Sequence, residues 1–365
     1  MTKNNFQKIF KILGIIICFS VLNSCSAEQH PQEAAIISNH EFYDTLEINF
    51  PNPAAQIKLA GSLSLPKGKG PFSAVILIAG SGPMNRDEEN LQHKPFMVLA
   101  DHLGRQGIAV LRFDKRGVEK SEGNFAIART SDFASDVHAA IAYLRTRAEV
   151  DINKLGLIGH SEGGTIAPMV AAENNAVHFI VMMAGSGLRG DQLILAQTQA
   201  RDSLLQVPPA KSGKKLAALE KAMHAISSAG NLVESERVLK PILNSAVAEN
   251  LMSQPEADER LAVYTTAWFR EFVLYDPRPV LKKLTIPVLA LAGSLDISIP
   301  SKQHLPAIQD ALRNNKQATV QEIPQLNHMF QTAVTGDFSE FGKIQETMSP
   351  SAMKIISTWI KHQVK

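Results

Sequence analysis

One glycine-flanked serine constrains the fold of this chain more than any other feature. The apolar run 155–158 predicts a buried strand, and the run 165–172 is compatible with a helix. Between these runs, Gly159, Ser161 and Gly163 form the pattern Gly-x-Ser-x-Gly. A sharp turn from strand to helix crowds its neighbours, and glycines on either side relieve that crowding. The segment therefore predicts an exposed serine on a tight turn.

The position of this serine also gives it a chemical meaning. The first N–H groups of the helix that follows would point back toward Ser161, where they can stabilise a negatively charged oxygen. Ser161 is therefore a candidate nucleophile. The alternative is a glycine-rich turn with an incidental serine, because the bare pentapeptide is common by chance.

Other strand-type runs recur along the chain with helix-type patterns between them. Residues 56–65 alternate like the edge of a β-ribbon, and Phe133, Val137 and Leu144 follow a helical period that Ser131 is placed to cap. The remaining strand-type runs are 74–79, 108–113, 179–183, 288–292 and 319–323. Strands that alternate with helices predict an α/β fold, with a mostly parallel sheet covered by helices on both faces.

The alternation stops between residues 188 and 284, where only helical patterns are found. This stretch is too long for a loop, so we expect a helical lid inserted between two core strands. The predicted α/β core then comprises residues 41–187 and 285–365. A chain of 365 residues has room for one large domain with such an insertion, or for two domains.

The first 40 residues are expected to lie outside the fold. Lysines precede an apolar run at 12–22 that is too short to span a bilayer comfortably. The sequence at 22–25, Leu-Asn-Ser-Cys, resembles the cleavage site of bacterial lipoproteins, which implies lipidation of Cys25. We therefore expect a lipoprotein-type signal peptide at 1–24 and a tether at 25–40. An ordinary cleaved signal peptide and an uncleaved anchor remain open.

Cysteine use and charge narrow the function classes. The chain contains only Cys18 and Cys25, so a chain that begins at Cys25 has no second thiol for a disulfide. No His, Cys, Asp and Glu cluster has the spacing of metal ligands, and no cofactor is implied. The formal net charge is +2, and the lysines of the signal segment account for this excess. Nothing therefore suggests binding to nucleic acid.

A nucleophilic serine needs a base, and the base needs an acid that fixes its tautomer. Asp296 follows the strand-type run 288–292, and His328 follows the run that ends at Ile323. The order Ser, Asp, His along the chain is associated with one class of hydrolases. Asp296 and His328 are therefore the candidate acid and base. Asp191 is the runner-up acid, although we expect it to cap the first lid helix.

Two backbone N–H groups are needed to bind an oxyanion. One is expected from Glu162, the residue after the serine. The other is expected from the loop at 80–83, where Ser81 is the candidate and Pro83 has no N–H to donate. This loop does not match the glycine patterns that cradle phosphates, so a nucleotide site is excluded there.

Several neighbouring residues have two possible roles. The Glu162 side chain could recognise a cationic group of a substrate or could support the loop, and His160 is expected to be structural. The charged residues at 86–87 and 114–116 are expected to form salt bridges that hold the loops in place, and contact with a substrate is the alternative. The lid aromatic cluster is expected either to pack within the lid or to line an apolar acyl pocket, and its members are Trp268, Phe269, Phe272 and Tyr275.

These motifs together resemble a known family. From residue 56 to the C-terminus, the chain is similar to α/β-hydrolases of the serine aminopeptidase S33-like or esterase-like group. The resemblance is carried by segments 59–63 (Leu-Ala-Gly-Ser-Leu), 80–83 (Gly-Ser-Gly-Pro) with Arg86 and Asp87, 113–117 (Phe-Asp-Lys-Arg-Gly) with Ser121, 159–164 (Gly-His-Ser-Glu-Gly-Gly), 275–277 (Tyr-Asp-Pro), and Asn327 with His328. Glu119 departs from the pattern, since relatives usually have glycine there.

The resemblance implies an α/β-hydrolase fold with Ser161 as nucleophile, Asp296 as acid and His328 as base. It also implies a small-molecule ester or amide substrate, and we expect hydrolysis of carboxylic esters through an acyl-enzyme. Peptidase or thioesterase activity and a non-catalytic scaffold remain open. The signal segment adds the expectation of an exported protein, anchored by lipid to a membrane of the bacterial envelope on its periplasmic or surface side.

Overall fold

The computed structural model describes residues 41–365. The predicted signal peptide, the lipidated Cys25 and the tether to residue 40 lie outside the described residues. In the described part, no helix combines the length and the apolar character that a bilayer crossing requires.

Eight strands form one sheet in the order β1-β2-β4-β3-β5-β6-β7-β8. The strands are β1 (Tyr43–Asn52), β2 (Ile57–Pro66), β3 (Phe72–Ile78), β4 (Ala109–Phe113), β5 (Val150–His160), β6 (Phe179–Met183), β7 (Val288–Gly293) and β8 (Ala318–Ile323). The β1–β2 and β2–β4 pairs are antiparallel, and every other pair is parallel. The mostly parallel sheet predicted from the sequence is therefore confirmed.

The antiparallel end of the sheet differs from the expectation. Residues 56–65 were expected to form an edge strand, but β2 lies between β1 and β4. The edge is β1, which the sequence analysis did not predict. Most of its side chains are exposed, and Ile48 and Phe50 are among the few that are buried. A strand that buries so few apolar side chains gives only a weak alternating pattern.

The helices connect these strands and pack against the sheet. They are α1 (Pro95–Arg105), α2 (Thr130–Leu144), α3 (Glu162–Glu173), α4 (Gly190–Leu204), α5 (Pro209–Ser228), α6 (Leu232–Ala248), α7 (Gln254–Tyr264), α8 (Ala267–Leu274), α9 (Arg278–Leu281), α10 (Ser301–Ala311), α11 (Phe338–Phe341) and α12 (Pro350–Gln363). Helix α2 packs against β3 and α3, and α1 packs against β4 and α12. The hydrophobic core lies between these helices and the sheet.

Helices α4 to α9 follow one another between β6 and β7, within the stretch predicted as a lid. Successive helices from α4 to α7 pack against each other, and α8 contacts both α4 and α2. The insertion therefore meets the rest of the molecule through α8, which contacts α2, and through α9, which contacts α3 and α10. The exact division into core and lid stays a prediction.

One contact at this junction corrects a predicted helix cap. Helix α2 begins at Thr130, so Ser131 lies inside the first turn and does not cap it. The Ser131 N–H and Oγ donate to the Glu271 carboxylate of α8, at 2.7 and 3.0 Å. Glu271 of the insertion thus satisfies two hydrogen-bond donors in the first turn of α2.

The parallel strands place several loops at one edge of the sheet. In the registers, Ile78 of β3 lies opposite Gly159 of β5, and Met183 of β6 lies opposite both His160 and Leu291. Ligands of open α/β sheets gather at the carboxyl ends of the strands. The loops after β3, β5, β7 and β8 therefore meet at the edge where chemistry is expected.

Candidate active site

Ser161 lies on a strained turn between β5 and α3. Its φ and ψ are 54° and −116°, in a region that side chains rarely adopt. A Cβ atom at Gly159 would lie 1.9 Å from the carbonyl oxygen of Gly163, and one at Gly163 would lie 1.9 Å from that of Ile78. Only glycine fits at both positions, which explains the spacing of the pentapeptide.

The structure brings Ser161, His328 and Asp296 into one hydrogen-bonded chain. His328 Nε2 lies 3.1 Å from Ser161 Oγ, and His328 Nδ1 lies 2.8 Å from Asp296 Oδ2. All three residues are buried. Because an ionised carboxylate only accepts hydrogen bonds, Nδ1 carries the proton. Nε2 is then free to accept the proton of the serine hydroxyl.

The Asp296 carboxylate is itself fixed by the loop after β7. Its Oδ1 accepts from the backbone N–H groups of Ser298 and Ile299, each at 2.8 Å. These two donors leave Oδ2 directed at the histidine. The acid is therefore oriented before any substrate arrives.

The runner-up acid has a different position and a different partner. Asp191 lies in the first turn of α4, and its carboxylate pairs with the side chain of Arg189. Arg189 occupies the N-cap position, and Asp191 accepts from the Gln192 N–H at 2.8 Å from within the first turn. Asp191 therefore serves the start of the helix, although not from the N-cap position, and His328 is bonded to Asp296 instead.

The loop after β3 lies against the serine. Ser81 and Ser161 line the same small cavity, together with His328. A Cβ atom at Gly80 would lie 3.1 Å from the Cβ of Ser161, so the backbone approaches the nucleophile closely at this point. Glu162 begins helix α3, and its N–H belongs to the helix end that faces Ser161.

The side chain of Glu162 is held inside the protein. Its Oε1 accepts from Thr130 Oγ1 and Trp268 Nε1, each at 2.7 Å, and its Oε2 accepts from Lys115 Nζ at 3.2 Å. The side chain is 1% exposed. All of its partners are protein groups, so the contacts fit loop support and not recognition of a substrate cation.

A second buried pair lies beside the catalytic groups, and sequence reasoning missed one of its members. His160 Nδ1 lies 2.9 Å from Glu88 Oε1, and His160 Nε2 donates to the carbonyl oxygen of His328 at 2.9 Å. Burial opposes protonation of His160, but the charge of Glu88 and its hydrogen bond raise the pKa above its usual value. No motif marked Glu88, because it lies in an irregular loop with a positive φ of 53°.

The charged loop segments form one ion pair with each other and further pairs with other elements. Arg86 pairs with Asp114 at 2.8 Å, as expected, whereas Asp87 pairs with Arg112 of β4. The third arginine, Arg116, pairs with Asp136 of α2. Glu119 in the same region has a φ of 47°, a backbone conformation that glycine adopts more readily than glutamate.

One cavity lies at the catalytic groups and a second lies among the inserted helices. The cavity at Ser161 is about 20 Å³ and the second is about 210 Å³. Phe338 of α11 contributes to the lining of both cavities. The polar and charged side chains of the larger cavity are Gln197, Thr198, Arg201, Asp202, Lys215, Glu256, Arg260 and Tyr264.

The predicted aromatic pocket residues pack on each other. Trp268 stacks on Phe272 at 5.4 Å, and Phe269 stacks on Tyr264 at 4.4 Å between ring centroids. Burial raises the pKa of Tyr275. Trp268, Phe269, Phe272 and Tyr275 are all missing from the linings of these two cavities, so their contacts favour packing within the insertion. Within residues 41–365, no three His, Cys, Asp or Glu side chains group as metal ligands would.

A family model supplies the decisive comparison. The model described as serine aminopeptidase S33 matches residues 93–332, which is more than half of the chain. The chain belongs to this family. Membership in the S33 family confirms the resemblance stated from the motifs, and the matched segment includes Ser161, Asp296 and His328.

One curated protein that is similar to this chain is an esterase. The chain is 25% identical over 272 residues to Esterase EstD of Thermotoga maritima, and the match covers 74% of the chain. It spans 58% of the length of that relative.

Solved structures agree on the fold. An esterase of Pyrococcus furiosus superposes with a TM-score of 0.55 at 13% identity, covering 96% of this chain and 100% of that one. The α/β hydrolase GrgF of Penicillium superposes with a TM-score of 0.54 at 14% identity, covering 88% and 99%. At these identities, the likeness shows an α/β-hydrolase fold.

Proposed function

We propose that this S33 family member is a serine hydrolase that cleaves carboxylic ester bonds through an acyl-enzyme. The observation that carries the proposal is the hydrogen-bonded chain from Ser161 through His328 to Asp296. The esterase EstD, which matches over most of the chain, supports an ester as the substrate.

The proposed reaction follows from this geometry. Ser161 Oγ attacks the ester carbonyl carbon while His328 Nε2 takes its proton. The N–H groups of Ser81 and Glu162 hold the oxyanion, and Asp296 stabilises the imidazolium that forms. His328 then protonates the alcohol as it leaves, and water hydrolyses the acyl-enzyme by the reverse sequence of proton transfers.

A peptidase is the second candidate, because of the family's description. An aminopeptidase must hold the free amine of its substrate, and Glu162 was the residue weighed for that task. The contacts of Glu162 to Lys115, Thr130 and Trp268 leave its carboxylate fully engaged. This favours the ester over the N-terminal peptide bond.

Paired substrates test this choice. We expect p-nitrophenyl butyrate to be hydrolysed with a kcat/KM at least about 100-fold above that of alanine p-nitroanilide, because the carboxylate of Glu162 is already bonded to Lys115, Thr130 and Trp268. Initial rates at 405 nm measure both. A higher kcat/KM for the anilide would contradict the esterase proposal and favour a peptidase.

The larger cavity is the proposed site for the part of the substrate remote from the ester bond. The cavity at Ser161 has room for little beyond a carbonyl group, and Phe338 lines both this cavity and the larger one. Ile297, the neighbour of Asp296, also lines the larger cavity. A longer substrate must therefore displace or pass Phe338.

Shortening Phe338 should change the preference for chain length. We expect Phe338→Ala to raise kcat/KM for p-nitrophenyl octanoate relative to the acetate by about tenfold, since a joined cavity buries more of the longer chain. A chain-length series from acetate to decanoate measures the ratio. Phe341→Ala, on the same short helix but lining only the smaller cavity, is the matched control. If wild type and Phe338→Ala show the same dependence of kcat/KM on chain length, the substrate does not extend into the larger cavity.

We also propose that the protein is exported and anchored in the bacterial envelope by a lipid on Cys25. Residues 1–25 support this proposal, because lysines precede an apolar run and Cys25 follows that run. A lipid anchor would place the hydrolase at a membrane surface.

A further inference from the structure

The peptide bond between Gly80 and Ser81 decides where one proposed oxyanion donor points. Its C=O belongs to Gly80, and its N–H belongs to Ser81. The peptide unit is planar and trans, so these two groups point in opposite directions. Whatever holds the Gly80 oxygen therefore also sets the direction of the Ser81 N–H.

Lys115 holds that oxygen. Its Nζ donates to Gly80 O at 2.6 Å, from the loop after β4. The ammonium is buried and lies 3.2 Å from Glu162 Oε2 and 4.1 Å from the centre of the Phe133 ring. A buried lysine with a carboxylate and an aromatic face around it has few other positions to adopt.

The counter-ion of Lys115 comes from the other side of the nucleophile. Glu162 is the residue after Ser161, and its own N–H is the second proposed oxyanion donor. Thr130 and Trp268 fix the Glu162 carboxylate, each at 2.7 Å. Lys115 thus links the Gly80–Ser81 peptide, which carries one proposed donor, to Glu162, whose N–H is the other.

The residue before this peptide restrains its orientation less than another residue would. Gly80 has no Cβ, so its ψ is less restricted than that of other residues. Its N–H is held at 2.6 Å by Glu88 Oε1, which fixes the preceding peptide but not the Gly80–Ser81 unit. The contact from Lys115 is therefore the restraint on the unit that matters.

We infer that Lys115 is a positioning residue of the oxyanion site, which keeps the Ser81 N–H directed at the developing oxyanion. The inference rests on the proposed function, because it requires a tetrahedral intermediate at Ser161. Lys115 touches no substrate in this account. Its hydrogen bond also polarises the peptide, which strengthens the N–H as a donor.

A double variant separates positioning from folding. Lys115→Met alone would leave Glu162 buried without its cation, so we combine it with Glu162→Gln, which removes both charges. We expect kcat for p-nitrophenyl butyrate to fall about 100-fold, as when one oxyanion donor is lost. KM and the melting temperature should stay close to wild type, because ground-state binding does not involve Lys115 and no unpaired charge is left buried.

A mimic of the tetrahedral intermediate supplies a second readout. An alkyl trifluoromethyl ketone binds serine hydrolases through an oxyanion, so its inhibition constant should rise by about the same factor as kcat falls. Thr130→Val is the matched control, because it removes a partner of Glu162 and leaves Lys115 on Gly80. We expect its kcat and its ketone affinity to stay within about threefold of wild type.

The outcomes separate this inference from the proposed function. A wild-type protein without Ser161-dependent ester hydrolysis would reject the proposed function. An active wild type and an equally active double variant would reject the role of Lys115. If the double variant does not fold, Lys115→Met is measured alone, and kcat must fall together with ketone affinity at constant KM. Unchanged kcat and affinity in Lys115→Met would also overturn the inference.

Discussion

Substitution of Ser161 by alanine is expected to lower kcat for ester hydrolysis by about 10⁴-fold or more, as in other serine hydrolases that lose the nucleophile. His328 Nε2, 3.1 Å from Oγ, would then have no hydroxyl to activate. The residual rate would come from the proposed oxyanion donors and His328 acting on water. Steady-state kinetics with p-nitrophenyl butyrate measure the loss.

The same variant should remain folded. Alanine at 161 keeps the backbone φ of 54° and removes only one oxygen from a buried site. We expect the melting temperature to stay within a few degrees of wild type, about the shift that 1 kcal/mol produces in a protein of this size. A folded Ser161→Ala variant that keeps more than a tenth of the wild-type rate would contradict the mechanism.

Asp296→Asn is expected to lower kcat by about 10⁴-fold through the tautomer of His328. Asp296 Oδ1 accepts from two backbone N–H groups, so the amide oxygen of asparagine takes that place. The amide nitrogen then faces His328 Nδ1 and donates to it. Nδ1 must become the acceptor, the proton moves to Nε2, and the histidine can no longer accept the serine proton.

The runner-up acid provides the matched control for this prediction. Asp191→Asn removes a carboxylate that pairs with Arg189 in the first turn of α4. We expect its kcat to stay within about twofold of wild type, because Asp191 pairs with Arg189 and has no contact with His328 or Ser161. A large loss of kcat in Asp191→Asn, together with wild-type kcat in Asp296→Asn, would identify Asp191 as the acid.

The sequence predicted the sheet and the reacting groups for a shared physical reason. Parallel strands are apolar runs bounded by loops, and their carboxyl ends meet at one edge. Any polar residue directly after such a run is therefore a site candidate. Ser161, Asp296 and His328 each follow a strand, and the structure brings them within hydrogen-bond distance.

The residues around the site could not be found in this way. Glu88 and Lys115 lie in loops, and their partners are 72 and 47 positions away in the chain. No local pattern relates such residues, because burial of an ion pair depends on the packing of the whole edge. From the sequence, Trp268 was a candidate for an apolar pocket. In the structure, its indole N–H donates to the Glu162 carboxylate.

The edge strand and the cavities show the same limit. Strand β1 buries too few side chains to give a clear alternating pattern. The position of Phe338 in the lining of two cavities follows from the packing of α11 against the inserted helices. Substrate size therefore depends on features that one sequence does not display.

Labelling with a fluorophosphonate tests the central claim most directly. The reagent phosphonylates the Oγ of an activated serine with loss of fluoride. This is the atom that would carry the acyl group in the proposed acyl-enzyme. Digestion and mass spectrometry of the labelled protein should find one adduct, on Ser161, and none in Ser161→Ala. An adduct on another residue, or no adduct on a protein that hydrolyses esters, would contradict the account.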